Sequence, residues 1–260
     1  GQDSTWVQYY ALRAAEVAAI WADVFKDAPA RLRRVIAVQT GWIGLEEQIL
    51  NAPLVVAEGR APPAQGFDDY AVTGYFSGML GADEKLAAVK DWLRQSEQAA
   101  QDQIAAKGLT GAKAAAWLAE HRYDLADRLA AQEVRDGSVT GDASDSIATV
   151  LGQTLPYHAA VAADHGLGLV MYEGGSHVVG FGAQVDDAAL ADFFLHFSYA
   201  PEMAGLYARM MTGWAALTDQ PFNAFSDVAR PGKWGSWGAL RHLGDDNPRW
   251  QVLAKGCLQC

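Results

Sequence analysis

Apolar positions in "WVQYYALRAAEVAAIWADVF", residues 6 to 25, recur at spacings of three and four, which predicts a helix burying the side formed by Trp6, Tyr9, Tyr10, Val17, Ile20, Trp21 and Phe25. Val35 to Val38 in "RRVIAVQTG" is a short β-branched run closed by Gln39 and a glycine, the pattern of a fully buried strand. "GLEEQILN" predicts a second helix, and "DDYAVTGYFSG" a second strand that finishes near Tyr75. Residues 83 to 135 read as helical throughout, two helices broken near Gly108 and Gly111, rich in alanine and leucine.

A polar link, "RDGSVTGDASDS", leads to a helix over 147 to 164 and then to a third strand, "LGLVMYE". That strand is expected to end at Glu173, the chain turning at once through Gly174 and Gly175 and presenting His177 past the bend. "DDAALADFFLHFSYA", capped by Asp186 or Asp187, and "EMAGLYARMMTGWAAL" predict two more helices, and "FNAFSD", residues 222 to 227, a fourth strand. The turn-rich "VARPGKWGSWGAL" follows, and "NPRWQVLAKG" closes as a short helix.

Short buried strands alternating with helices imply parallel pairing through right-handed crossovers, either an open sheet or an α/β barrel. About four strands, the first preceded by a helix with no strand of its own, form the pattern of the second half of a TIM (β/α)8 barrel. The expectation is one α/β domain over 1–260 with a helical insertion at 83–135. No GxGxxG opens a helix after the first strand and no GxxxxGK[ST] occurs, so the phosphate-cradling loops of cofactor-binding sheets are missing. No cofactor and no metal are expected.

Composition narrows the partners. The 260 residues are 50% hydrophobic, enough for a sizeable core, and 20 Lys and Arg against 31 Asp and Glu give a net charge of -11. Nucleic acid would meet like charge, and no apolar run reaches bilayer length. The chain starts at Gly1 rather than Met, which raises the expectation of an upstream segment removed, and its two cysteines, Cys257 and Cys260, form a terminal CxxC without the second pair of a zinc ribbon.

In an α/β barrel, functional groups project from the carboxyl ends of the strands. Gln39, Tyr75, Glu173 and the group of Asn223, Ser226 and Asp227 all fall there. The order of elements, together with "AEVAAIWADVF", "RRVIAVQTG", "DDYAVTGYF", "YEGGSH" and "WGSWGAL" before a Pro-Arg-Trp, resembles the carboxyl-terminal half of clan A retaining glycoside hydrolases and bacterial barrel proteins described as glycosidases or cellulose-binding proteins.

That resemblance implies Glu173 as the nucleophile that forms a glycosyl-enzyme, and Tyr75 as the hydroxyl that orients it. It implies a carbohydrate substrate stacked on Trp234 or Trp237, with Gln39, His177 and Asn223 as further substrate contacts, and a secreted or periplasmic location. The family's acid/base glutamate has no counterpart here. Glu16, Glu46 and Glu47 lie on helical patterns, so that carboxyl is expected upstream of Gly1. A half barrel exposes unpaired strand edges, which implies the missing amino-terminal half or self-association as partner. The rival readings are a non-catalytic carbohydrate-binding protein on the same scaffold, and an α/β protein with no sugar site whose helical segment 83–135 is an interaction surface.

Overall fold

The computed structural model describes residues 5 to 257. Cys260 and Gly1, and with them any role of the terminal cysteine pair, lie outside the described residues. The protein is α/β. Helix α1 (Thr5–Val24) leads to β1 (Val35–Ala37), the short helices α2 (Leu45–Leu50) and α3 (Pro53–Ala57), and β2 (Asp69–Phe76). Helices α4 (Asp83–Ala106), α5 (Gly111–His121) and α6 (Asp124–Asp136) follow. Next come α7 (Ile147–Thr149), a π-helical stretch (Val150–Thr154) and α8 (Leu155–Asp164), then β3 (Gly168–Ser176). Helices α9 (Ala188–Phe197), α10 (Pro201–Ala215) and α11 (Pro248–Cys257) complete the chain.

The three strands form one parallel sheet in the order β1-β2-β3, with Val35, Ile36 and Ala37 opposite Asp69, Tyr70 and Ala71. The sheet is not closed into a barrel. The expected fourth strand at 222–227 is absent: Ala224 makes an isolated parallel bridge to Gly174, and the chain then turns to pair with residues 237 to 240. Its alternating exposure, with Asn223 and Phe225 facing water, denies it the two buried faces that a central parallel strand needs.

Contacts divide the chain into two compact units. The first comprises Gly1–Gly74, Thr154–Glu173 and Ala215–Asn223; the second comprises Tyr75–Gln153, Gly174–Trp214 and Ala224–Cys260. In the first unit, Ile36, Tyr70, Val72 and Leu155 are fully buried, and Arg34 and Asp68 pair through two side-chain hydrogen bonds at the entry to the sheet. That guanidinium holds the Asp68 carboxyl down at about 2. A buried imidazole fastens the other end: His158 contacts the Tyr70 hydroxyl at 2.8 Å and the Thr40 carbonyl at 2.9 Å, while the Thr40 hydroxyl accepts from Thr73 N.

Three further expectations are corrected. The side of α1 expected inside faces outward; Val7, Gln8, Ala11 and Ala18 are buried instead. The helix is apolar on both sides, so its small alanines pack inward while Gln8 bonds Gln48 and the Leu54 amide. The segment 83–135 is three helices, since a second break falls at Arg122 and Tyr123. Finally, β3 continues through both glycines to Ser176. Gly175 has φ of 142°, and a Cβ there would lie 2.7 Å from the Tyr207 hydroxyl, which accepts from Ser176 N. Glycine keeps the strand extended against that tyrosine instead of turning it. The cap of α9 is as expected, Asp187 accepting from Ala189 N and Leu190 N.

Candidate functional site

The second unit gathers three of the seven sequence-selected residues into one aromatic cluster. Tyr75 lies in β2 and His177 directly follows β3, its amide donating to the Phe76 carbonyl at 2.8 Å. Trp237 comes from the glycine-rich turn before α11. The ring centroids lie 5.9 Å apart for Tyr75 and His177, 6.1 Å for Tyr75 and Trp237, and 5.1 Å for His177 and Trp237. Phe181 stacks on the imidazole at 5.5 Å, and Phe225 meets the indole edge-on at 6.1 Å.

The backbone around Trp237 is tightly specified. Its carbonyl accepts from Ser226 N at 2.9 Å, and Ala239 N donates to the Ser226 carbonyl at 2.8 Å. Gly235 has φ of 136°, and a Cβ on it would lie 2.5 Å from the indole, so this position admits the ring only as glycine. The carbonyls on either side of Trp237, those of Ser236 and Gly238, accept from the guanidinium of Arg249. Arg249 is fully buried, has no carboxylate partner among the described residues, and lies over the rings of Tyr199 and Tyr207 at 4.5 and 5.8 Å. A desolvated cation is costly without compensation, and here two carbonyls and two aromatic faces supply it. The Pro-Arg-Trp motif downstream of the tryptophan pair is thereby the clamp on the Trp237 turn.

His177 is half-buried, and burial pushes its imidazole pKa down, keeping the neutral ring. Neither of its ring nitrogens, nor the indole nitrogen of Trp237, has a hydrogen-bond partner among the described residues. A neutral imidazole both donates and accepts, and an indole donates. Flat apolar faces therefore adjoin unspent polar atoms. Beyond the end of β2, the Ser77 hydroxyl donates to Asp145, whose carboxyl is raised by burial. Sequence reasoning missed Asp145, which looked like one more acid in a polar link, and Arg249, whose only signal was its place in a short motif.

The remaining candidates lie elsewhere. Trp234 is highly exposed, with the Lys233 ammonium 4.7 Å above its ring, and takes no part in the cluster. In the first unit, Gln39 is exposed and its amide carries no hydrogen bond among the described residues. Asn223 is exposed and donates to the Tyr172 carbonyl at 2.9 Å. Glu173 is half-buried, on the same face of β3 as Met171, and its carboxylate carries neither a hydrogen bond nor an ion pair among the described residues. The other acids considered are committed: Glu16 pairs with Arg13 and Arg60, Glu47 accepts from Asn51, and the fully buried Glu46 accepts from Gly44 N and from the Tyr157 hydroxyl, which it lifts to about 12.

Among the described residues no group of histidine, cysteine and carboxylate side chains could hold a metal ion, and no helix is long and apolar enough to cross a membrane. No family model, curated protein or solved structure matches the chain.

Proposed function

We propose that the protein binds carbohydrate, with Trp237, His177 and Tyr75 as the contact surface. One observation carries this reading: an indole and an imidazole lie 5.1 Å apart, both half-buried, with their nitrogens unspent. The apolar face of a pyranose stacks on an indole, and its hydroxyls need donors and acceptors at the ring's rim. A neutral His177 offers one of each, and the Trp237 N–H adds a donor. The scaffold belongs to the same proposal: parallel strands linked by helices, read as the second half of a (β/α)8-type arrangement, would put such a surface beyond the carboxyl ends of β2 and β3.

The test is tryptophan fluorescence or calorimetric titration with soluble cello-, xylo-, manno- and chito-oligosaccharides. Saturable binding to one of them is expected, weakened about tenfold or more by Trp237→Ala, the equivalent of about 1.4 kcal/mol. Trp234→Ala should change affinity less than about twofold, because an exposed ring outside the cluster adds little. Absence of saturable binding across the series overturns the reading.

A second reading, a retaining glycoside hydrolase with Glu173 as nucleophile, is favoured by the unpaired state of that carboxylate on a parallel strand. Incubation with a 2-deoxy-2-fluoro glycoside of the sugar that binds, followed by peptide mass spectrometry, decides it. A label on Glu173 that Glu173→Gln abolishes supports hydrolysis, and binding without a label leaves carbohydrate binding alone.

A further inference from the structure

The outer side of α1 carries a run of exposed apolar side chains. Trp6, Tyr9, Tyr10, Val17, Ile20, Trp21 and Val24 are between 41 and 64% exposed. At 100° per residue they share one arc of the helix, interrupted only by Arg13, and run its whole length of about 30 Å. Applying those exposures to side-chain areas of roughly 150–250 Å² gives about 800 Å² of apolar surface on one copy. That is the share each partner contributes to a standard stable interface, and Trp, Tyr and Arg are the residues that interface centres concentrate.

We propose that this stripe is a self-association surface, on which a second copy of the chain docks antiparallel through its own α1 to form a two-fold symmetric dimer. The distribution of side chains sets the direction. With the axis near Ala14, Trp6 of one copy lies over Trp21 of the other, and Tyr10 over Val17. Arg13 then lies beside its own symmetry mate next to the axis, and the Glu16 carboxylate of each chain, already paired with the Arg13 of that chain, offsets the two guanidinium charges. Beside the Trp21 end of the stripe, Tyr10, Val17, Trp21, Leu32, Val35 and Phe67 line a groove of about 390 Å³, which receives the incoming Trp6.

The alternative of strand addition at the open edge of β1 is blunted from within. The Tyr10 hydroxyl bridges the outward amide and carbonyl of Ala37, at 3.4 and 3.3 Å, and so occupies the main-chain groups an added strand would use.

Sedimentation velocity on the Gly1–Cys260 chain between about 1 and 100 μM tests the proposal. The expected species has twice the 27.9 kDa chain mass. Ile20→Glu and Trp21→Glu, each at an exposed position, should raise the dimer dissociation constant about 30-fold or more with the circular dichroism spectrum unchanged. In a Cys257→Ser/Cys260→Ser background, Ala14→Cys should crosslink to itself on oxidation and Val24→Cys should not. A monomer throughout the range, a dimer that survives both glutamates, or faster crosslinking through Val24→Cys overturns it.

Discussion

His177 shows how a single residue takes its chemistry from what surrounds it. Three aromatic rings wall its imidazole, and burial disfavours the charged form, so its folded pKa lies below the ordinary 6.5. Between those two values the unfolded chain binds more protons than the folded one. The stability from a neutral His177 is therefore whole above about pH 6.5 and is lost as the pH falls through the depressed folded value. Urea denaturation at a series of pH values from 7.5 to 5 should show this decline, and His177→Gln should flatten it. In the sequence His177 was a candidate substrate contact only through the family resemblance, as a polar residue shortly after two glycines. Its partnership with Trp237, 60 positions later, depends on Gly235 and on Arg249, and no local pattern links those positions.

At the scale of elements, the helical segment after β2 is held by one buried ion pair. Lys85 of α4 reaches Glu133 of α6 at 2.5 Å, and both side chains are almost wholly buried. Glu133 also accepts from Val139 N, Thr140 N and the Thr140 hydroxyl, while Lys85 donates to the Asp142 carbonyl at 2.8 Å. One pair thus fixes two helices and the polar link that follows them. Lys85→Met leaves a buried carboxylate without its counter-ion and should cost about 3–5 kcal/mol. Adding Glu133→Gln should return part of that loss, since the residual amide still accepts and donates within the link. Denaturant melts of the two variants measure both. Alanine-rich periodicity predicted the helices, but nothing in it predicted that Lys85 and Glu133 would turn toward each other. The extension of β3 was missed for a related reason: glycine reads as a breaker, yet Gly175 is extended because Tyr207 requires it.

For the whole molecule, the parallel sheet of three strands remains open, and the chain forms two compact units whose division falls within β2 and β3. If the α1 stripe docks a second copy, folding is linked to association, and the melting temperature should rise with protein concentration. Differential scanning fluorimetry across a hundredfold concentration range should show the rise, and Ile20→Glu should remove it.

The sequence by itself determined the positions of most helices and of three of the four expected strands, because spacing, β-branching and capping act over a few residues. Asp187 at the head of α9 and the β-branched run of β1 were legible on those grounds. It also determined that the chain is acidic, with 31 Asp and Glu against 20 Lys and Arg. Only the tertiary structure decided which side of α1 is buried, since a helix apolar on both sides has no moment strong enough to choose and the packing of Ala11 and Ala18 chose for it. It likewise decided that residues 222 to 227 make a bridge rather than a strand, and that Tyr75, His177 and Trp237 meet. Those outcomes depend on volumes and hydrogen bonds between residues distant along the chain, and these exist only once the chain has folded.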